Sequence, residues 1–174
     1  MATAHSELMP TNLRGSKQAE PARKRRVLAC VDGTERTNHV VDYLVKLTHG
    51  GPLIEVVLLN VQPQPEDWRL RGYETFKRDE IRDRLINDLG MPVVSSAGRR
   101  LEQYGIPYAT RVELGDLAEV AVRCAREERC EMVIAAEPRI GGIRQWIAVA
   151  AALLAGSLAA RLIRIAETPV VIVK

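Results

Sequence analysis

From position 27 onward the chain alternates between short, unbroken apolar runs and longer segments with helical periodicity. VLACV (27–31), LIEVVLLNV (53–61) and MVIAA (132–136) are nearly all apolar, the pattern of strands buried on both faces of a parallel sheet. Residues 107–114 alternate as a further strand, and the β-branched PVVIVK (169–174) closes the chain as another. Helices are predicted between them. Residues 36–48 turn Val40, Val41, Leu44, Val45 and Leu47 inward and stop at His49-Gly50-Gly51-Pro52. Residues 74–104 read as a long helix with inward positions running from Phe76 through Ile81, Leu85, Leu89 and Val93 to Leu101. Gly90 and Pro92 should kink or split it, and Tyr104-Gly105 should end it. Gly115-Asp116 opens a short helix over 117–128, with Asp116 and Glu119 at the positive end of its dipole. After EPRIGG (137–142) a last helix runs to about 166, with Gly156-Ser157 inside it.

Strands alternating with helices predict right-handed crossovers and an α/β fold: a single doubly wound domain with a five-stranded parallel sheet and helices on both faces. The strand order does not follow from the sequence; 3-2-1-4-5 is the expected one, with its switch point between strands 1 and 4. Ligands of such sheets bind outside the carboxyl ends of the strands at that point. The two ends facing the crevice are then Asp32-Gly33-Thr34 and Ala136-Glu137-Pro138-Arg139. Asp32 is placed to meet a ligand there, or else Asp32 or Thr34 merely caps the next helix. Residues 62–73, with Trp68, form a polar connection long enough to be functional or mobile.

Composition changes this picture in one place. The 174 residues are 47% hydrophobic and 27% charged, as in a globular domain, and the net charge is +3. The first 26 residues alone carry six basic and two acidic side chains, so the rest is about −1. The basic character belongs to a tail over 1–25, and the α/β domain occupies 26–174. Arg23-Lys24-Arg25-Arg26 could make weak contact with nucleic acid or an anionic membrane, although such runs are more often a solvated entry to a strand. No apolar stretch follows the charges as a secretory leader would require, and the odd cysteine count (Cys30, Cys124, Cys130) suits reduced, buried thiols. A cytoplasmic location is the expectation.

Catalytic chemistry finds little footing. His5, His39 and His49 lie in the tail, a helix and a turn, without a nucleophile or metal-ligand constellation around them. His39 is expected to be half-buried, and Asp42, Asp79, Asp83 and Asp88 to line solvated helix faces. Neither a Walker loop nor a Gly-x-Gly-x-x-Gly after a strand is present.

VLACVDGTE, VVLLNV, GIPYATRVELGDLAEVAVRCAREE, MVIAA and GSLAARLIRIAETPVVIVK together resemble the universal stress protein family. The resemblance spans about residues 26–174; Gly115-Asp116-Leu117-Ala118-Glu119 and the ending Thr168-Pro169-Val170-Val171-Ile172-Val173 are its most telling parts. It implies a small α/β domain with the strand order given above, usually dimeric through the last strands, with a site for ATP or AMP in some members and none in others. The apolar last strand, at the edge of the sheet, is itself a reason to expect a homodimer through Val170 and Ile172. Other protein partners are not named by the sequence.

In the ATP-binding members, phosphates lie on Gly-x-x-Gly-(nine residues)-Gly-Ser/Thr after the fourth strand, where glycines let backbone N–H groups approach. Asp32, Val61, Gly156 and Ser157 match the family's ribose, adenine and phosphate positions. The first two glycines do not match. Counted back from Gly156 they fall on Trp146 and Ile143; counted from the strand end they fall on Ala136 and Arg139. Ala136 lies twenty positions before Gly156, where the family has thirteen, and Gly141-Gly142 are wrongly spaced. Seven extra residues are about two helical turns. The stretch 146–155 is apolar all round, so the added turns are expected to cover the crevice or pack on another subunit. Arg139 and Arg144 are the side chains that could take over from glycine amides as phosphate ligands. A regulatory binding module with a weakened or lost nucleotide site is the expectation, and retained ATP or AMP binding the alternative.

Overall fold

The computed structural model describes residues 24–49, 51, 53–64, 75–136 and 158–174. Five parallel strands form one sheet: β1 (Arg25–Cys30), β2 (Ile54–Gln62), β3 (Tyr108–Leu114), β4 (Met132–Ala136) and β5 (Val170–Val173), in the order β3-β2-β1-β4-β5. The expected order is therefore the observed one. Register puts Leu28 beside Val57 and Val133, so the central three strands share apolar rows on both faces.

Period-two alternation separates two apolar layers. Val27, Ala29, Val56, Leu58 and Ile134 face α1 (Glu35–Thr48) and α3 (Met91–Gln103), packing with Val40, Leu44, Val94 and Leu101. Leu28, Cys30, Val57, Leu59 and Val133 face α4 (Leu117–Glu127) and α5 (Leu158–Ile165), packing with Ala121, Cys124 and Leu162. The three cysteines are free and buried in this second layer. Burial pushes the Cys30 thiol up to about 12 and that of Cys130 to about 11, so both stay protonated at neutral pH.

The segment expected to kink or split at Gly90 and Pro92 stays helical throughout. α2 (Thr75–Arg84) runs into a π-helical turn, Leu85–Gly90, and then into α3, with Pro92 in its first turn. The Met91 N–H bonds the carbonyl of Ile86, five residues back. The wider turn shifts the helical register. Leu89, expected to point inward, is 51% exposed, whereas Gly90 is buried against Val112 and Asn60. A Cβ at Gly90 would overlap Cγ1 of Val112, so the helix lies this close to β2 and β3 only because the residue is glycine.

β3 lies at one edge, and its α4-facing side is covered by charge. Arg111 bonds Glu113, Glu127 and Glu128, while Arg123 bridges Glu113 and Glu127. Arg26 extends the network to Glu55 and Glu128, and Arg25 pairs with Glu131. Two members of the basic run 23–26, the first two residues of β1, are thus tied into the domain. β5 forms the other edge; among the described residues it pairs with β4 alone, and all four of its residues are half-buried. No described helix is long and apolar enough to cross a membrane.

Candidate functional site

The carboxyl ends of β1 and β4 open into a cavity of about 130 Å³, lined by Cys30 at the end of β1, Val31 and Asp32 just after it, and Ala135 and Ala136 of β4. Arg36 and Thr37 of α1, Val61 of β2, Leu117 of α4 and Leu158 of α5 complete it. The switch point expected from topology is therefore a concave site. It brings together Asp32, Val61 and Ala136 of the residues expected there. Arg139, Gly156 and Ser157 lie outside the described residues, as do Arg144, the other insertion residues, Trp68 and the tail through Arg23.

The turn after β1 is built by short polar side chains. Gly33 has a φ of +76°, a left-handed conformation that suits glycine, and a Cβ there would come within 2.8 Å of Val93. Thr34 caps α1, its hydroxyl accepting from the Arg36 N–H at 3.3 Å. Thr37, 8% exposed, accepts at its hydroxyl from the N–H groups of Asp32 (3.1 Å) and Gly33 (3.0 Å). Asp32 itself is not the cap. Its Oδ1 accepts from the Thr34 N–H (3.0 Å), the Thr34 hydroxyl (2.7 Å) and the Thr37 hydroxyl (3.2 Å). Its Oδ2 accepts from Nη2 of Arg36 at 2.7 Å. Partial burial alone would raise the carboxyl's pKa. The hydrogen bonds from Thr34, the Arg36 charge and the Thr37 hydroxyl outweigh it and hold the group below its ordinary 3.8.

On the β2 side, Asn60 is 3% exposed and donates to the carbonyl of Val31 at 2.7 Å, while Gln62 donates to its Oδ1 at 2.6 Å. This ties the end of β2 to the backbone just before Asp32. On the α4 side, Gly115 has a φ of +141° and Asp116 caps the helix through the N–H groups of Ala118 and Glu119. Arg161 donates to the same carboxylate at 2.6 Å, locking α5 against the start of α4.

Asp32, Val61 and Ala136 were expected at the crevice and line the cavity; Arg36 and Thr37, which hold Asp32, and Asn60, which holds the Val31 carbonyl, were not expected there. A lone Asn within an otherwise apolar strand was the available signal for Asn60. Thr37 and Arg36 carried none, because a Thr and an Arg in a first helical turn read as solvated. His39, expected to be half-buried, is exposed, with Nδ1 2.9 Å from the backbone oxygen of Lys174. Among the described residues no group of three His, Cys, Asp or Glu side chains converges as metal ligands would.

Comparison with solved structures returns the same fold. A universal stress protein in complex with cAMP superposes with a TM-score of 0.61 at 16% identity, covering 86% of this chain and 96% of that one. A universal stress protein from Archaeoglobus fulgidus in complex with dAMP gives 0.53 at 16% identity, covering 88% and 100%. A family protein from Arabidopsis thaliana with AMP bound gives 0.56 at 14% identity, covering 86% and 91%. At these identities the likeness is one of fold. No curated protein sequence gives a significant match. The model of the universal stress protein family matches residues 24–174. Because that match spans the whole sheet and every described helix, the chain belongs to the universal stress protein family.

Proposed function

We propose that the protein is a stress-response or regulatory binding module, a cytoplasmic homodimer in which the nucleotide crevice is weakened or lost. The observation that carries this reading is the state of Asp32. The acidic side chain facing the crevice has its oxygens occupied by Thr34, Thr37 and Arg36, in a cavity of about 130 Å³. Ordinary small-molecule sites measure roughly 300–1,000 Å³. The space suits part of a nucleotide, and the missing glycine pair removes the usual cradle for the remainder. The homodimer is supported by the half-exposed β5 edge with Val170 and Ile172, and by Ile163 and Ile165 exposed on α5.

The second reading keeps ATP or AMP in the crevice between β1 and β4, using Asp32, Val61, Ala136, Arg139, Gly156 and Ser157. It is favoured by the fold neighbours that carry cAMP, dAMP and AMP. Calorimetric titration of the full chain with ATP and AMP separates the two. A weakened site gives dissociation constants above about 100 µM or no heat. Micromolar binding that disappears in both Asp32→Ala and Gly156→Val would establish the second reading instead.

A further inference from the structure

Resting on the weakened-site reading, the geometry points to Arg36 as an internal competitor in the crevice: its guanidinium lines the cavity and takes an acceptor position on Asp32 that a ligand's donor group would use. A carboxylate offers about four lone-pair sites. Oδ1 of Asp32 receives three donors from Thr34 and Thr37, and Oδ2 receives Arg36 at 2.7 Å. The two threonine hydroxyls are spent as well, since each donates to Asp32 and accepts from two N–H groups. Among the lining residues the remaining side chains are apolar or, at Cys30, a buried thiol. A hydroxyl or amine entering the cavity therefore finds its side-chain acceptor at Oδ2, the oxygen with capacity left, and must share it with Arg36 or displace Arg36 from it.

Displacing Arg36 carries a second penalty. The residue sits in the first turn of α1, where the helix dipole is positive and a cation is unfavourable unless paired. Its anchors are Asp32 and, through Nε at 3.2 Å, Thr34. A ligand that takes Oδ2 leaves the guanidinium facing that positive end without its counter-charge. Arg36 thus selects against neutral donors such as a nucleoside.

The test is an NMR titration of backbone amides in the full-length protein with adenosine, which is uncharged and makes no ionic contact of its own. Arg36→Ala and Arg36→Gln should each bind adenosine more tightly than the wild type, by up to about five-fold for a pair this exposed. Asp32→Ala should show no such gain. Raising salt from about 0.05 to 1 M weakens the ion pair, so wild-type affinity for adenosine should rise more than that of Arg36→Ala. Equal or weaker binding in both Arg36 variants, or no binding in any protein, overturns the inference and leaves the weakened-site reading intact. Tight wild-type binding of AMP would overturn that reading instead, whatever the Arg36 variants do.

Discussion

Arg161 of α5 donates to the carboxylate of Asp116 at 2.6 Å, and the same oxygen accepts from the N–H groups of Ala118 and Glu119 in the first turn of α4. One carboxylate therefore ends a helix and fastens the next one against it. Replacing Asp116 with Ala removes the cap and leaves Arg161 unpaired beside the helix start. The expected loss is about 1–2 kcal/mol, most of it from the cap, because the side chains of the ion pair are about a third exposed. Asp116→Asn should recover most of it, since an amide oxygen still caps. Urea denaturation of the three proteins measures this.

Acidification should unfold the protein through the same groups. Burial tends to raise the Asp116 carboxyl, but hydrogen bonds from Arg161, Glu119 and Ala118 hold it below its ordinary 3.8, as Asp32 is held by its neighbours. A carboxyl depressed in the folded state binds fewer protons there than when unfolded. Its contribution is thus fully present above the unfolded value and is lost as pH falls through the lower folded one. The melting temperature should stay level through the neutral range with respect to these groups and drop below about pH 4. Asp116→Asn should make that drop shallower.

Gly90→Ala should be costly although alanine is the better helix former. The new methyl would overlap Val112 on β3, and overpacking of this kind costs about 1–3 kcal/mol. Adding Val112→Ala should restore part of the loss, so a double-mutant cycle of chemical denaturation should show a favourable coupling. Simple additivity would mean that the close approach is not what requires the glycine.

Arg129 is strained, with a φ of 53°. It follows α4 in a Schellman arrangement, its N–H bonding Arg126 while the Cys130 N–H reaches back to Ala125 at 2.8 Å. This is the left-handed position that glycine usually takes. Arg129→Gly should raise stability by about 1 kcal/mol, seen as a higher denaturation midpoint at unchanged slope.

Ile172→Lys places a charge on the β5 edge where a second copy is proposed to join. Light scattering should report a dimer for the wild type and monomer or aggregate for the variant. An unchanged dimer would move the interface elsewhere.

The sheet was largely legible because its central strands are unbroken apolar runs such as VVLL at 56–59, which suit burial on both faces and little else. Gly33 and Gly105 marked turns for the same local reason, each adopting a positive φ. Leu89 misled. Helical periodicity assumes 3.6 residues per turn, and the π turn before α3 breaks that assumption without any sequence mark beyond Gly90 and Pro92. The acid of the crevice was readable from its place after β1, but Thr37, Asn60 and Arg36 were not, because their roles depend on which neighbours the fold brings to them. Arg111 was invisible for the same reason. On the sequence it is a charge in an alternating strand, and besides Glu113 its partners, Glu127 and Glu128, lie at the end of α4, 16 and 17 residues away.

The two edges of the sheet are unlike, and this limits growth. On β3 the side chains of Arg111 and Glu113 are held in a lattice of opposite charges that an incoming strand would have to disturb. On β5 the row is Val-Val-Ile-Val, with no such barrier among the described residues. A sheet with two open ends can recruit copies indefinitely and become a fibre. Here only the β5 edge lacks charge among the described residues, so the proposed joining of two copies there would use itself up in one step and leave the pair its charged β3 edges.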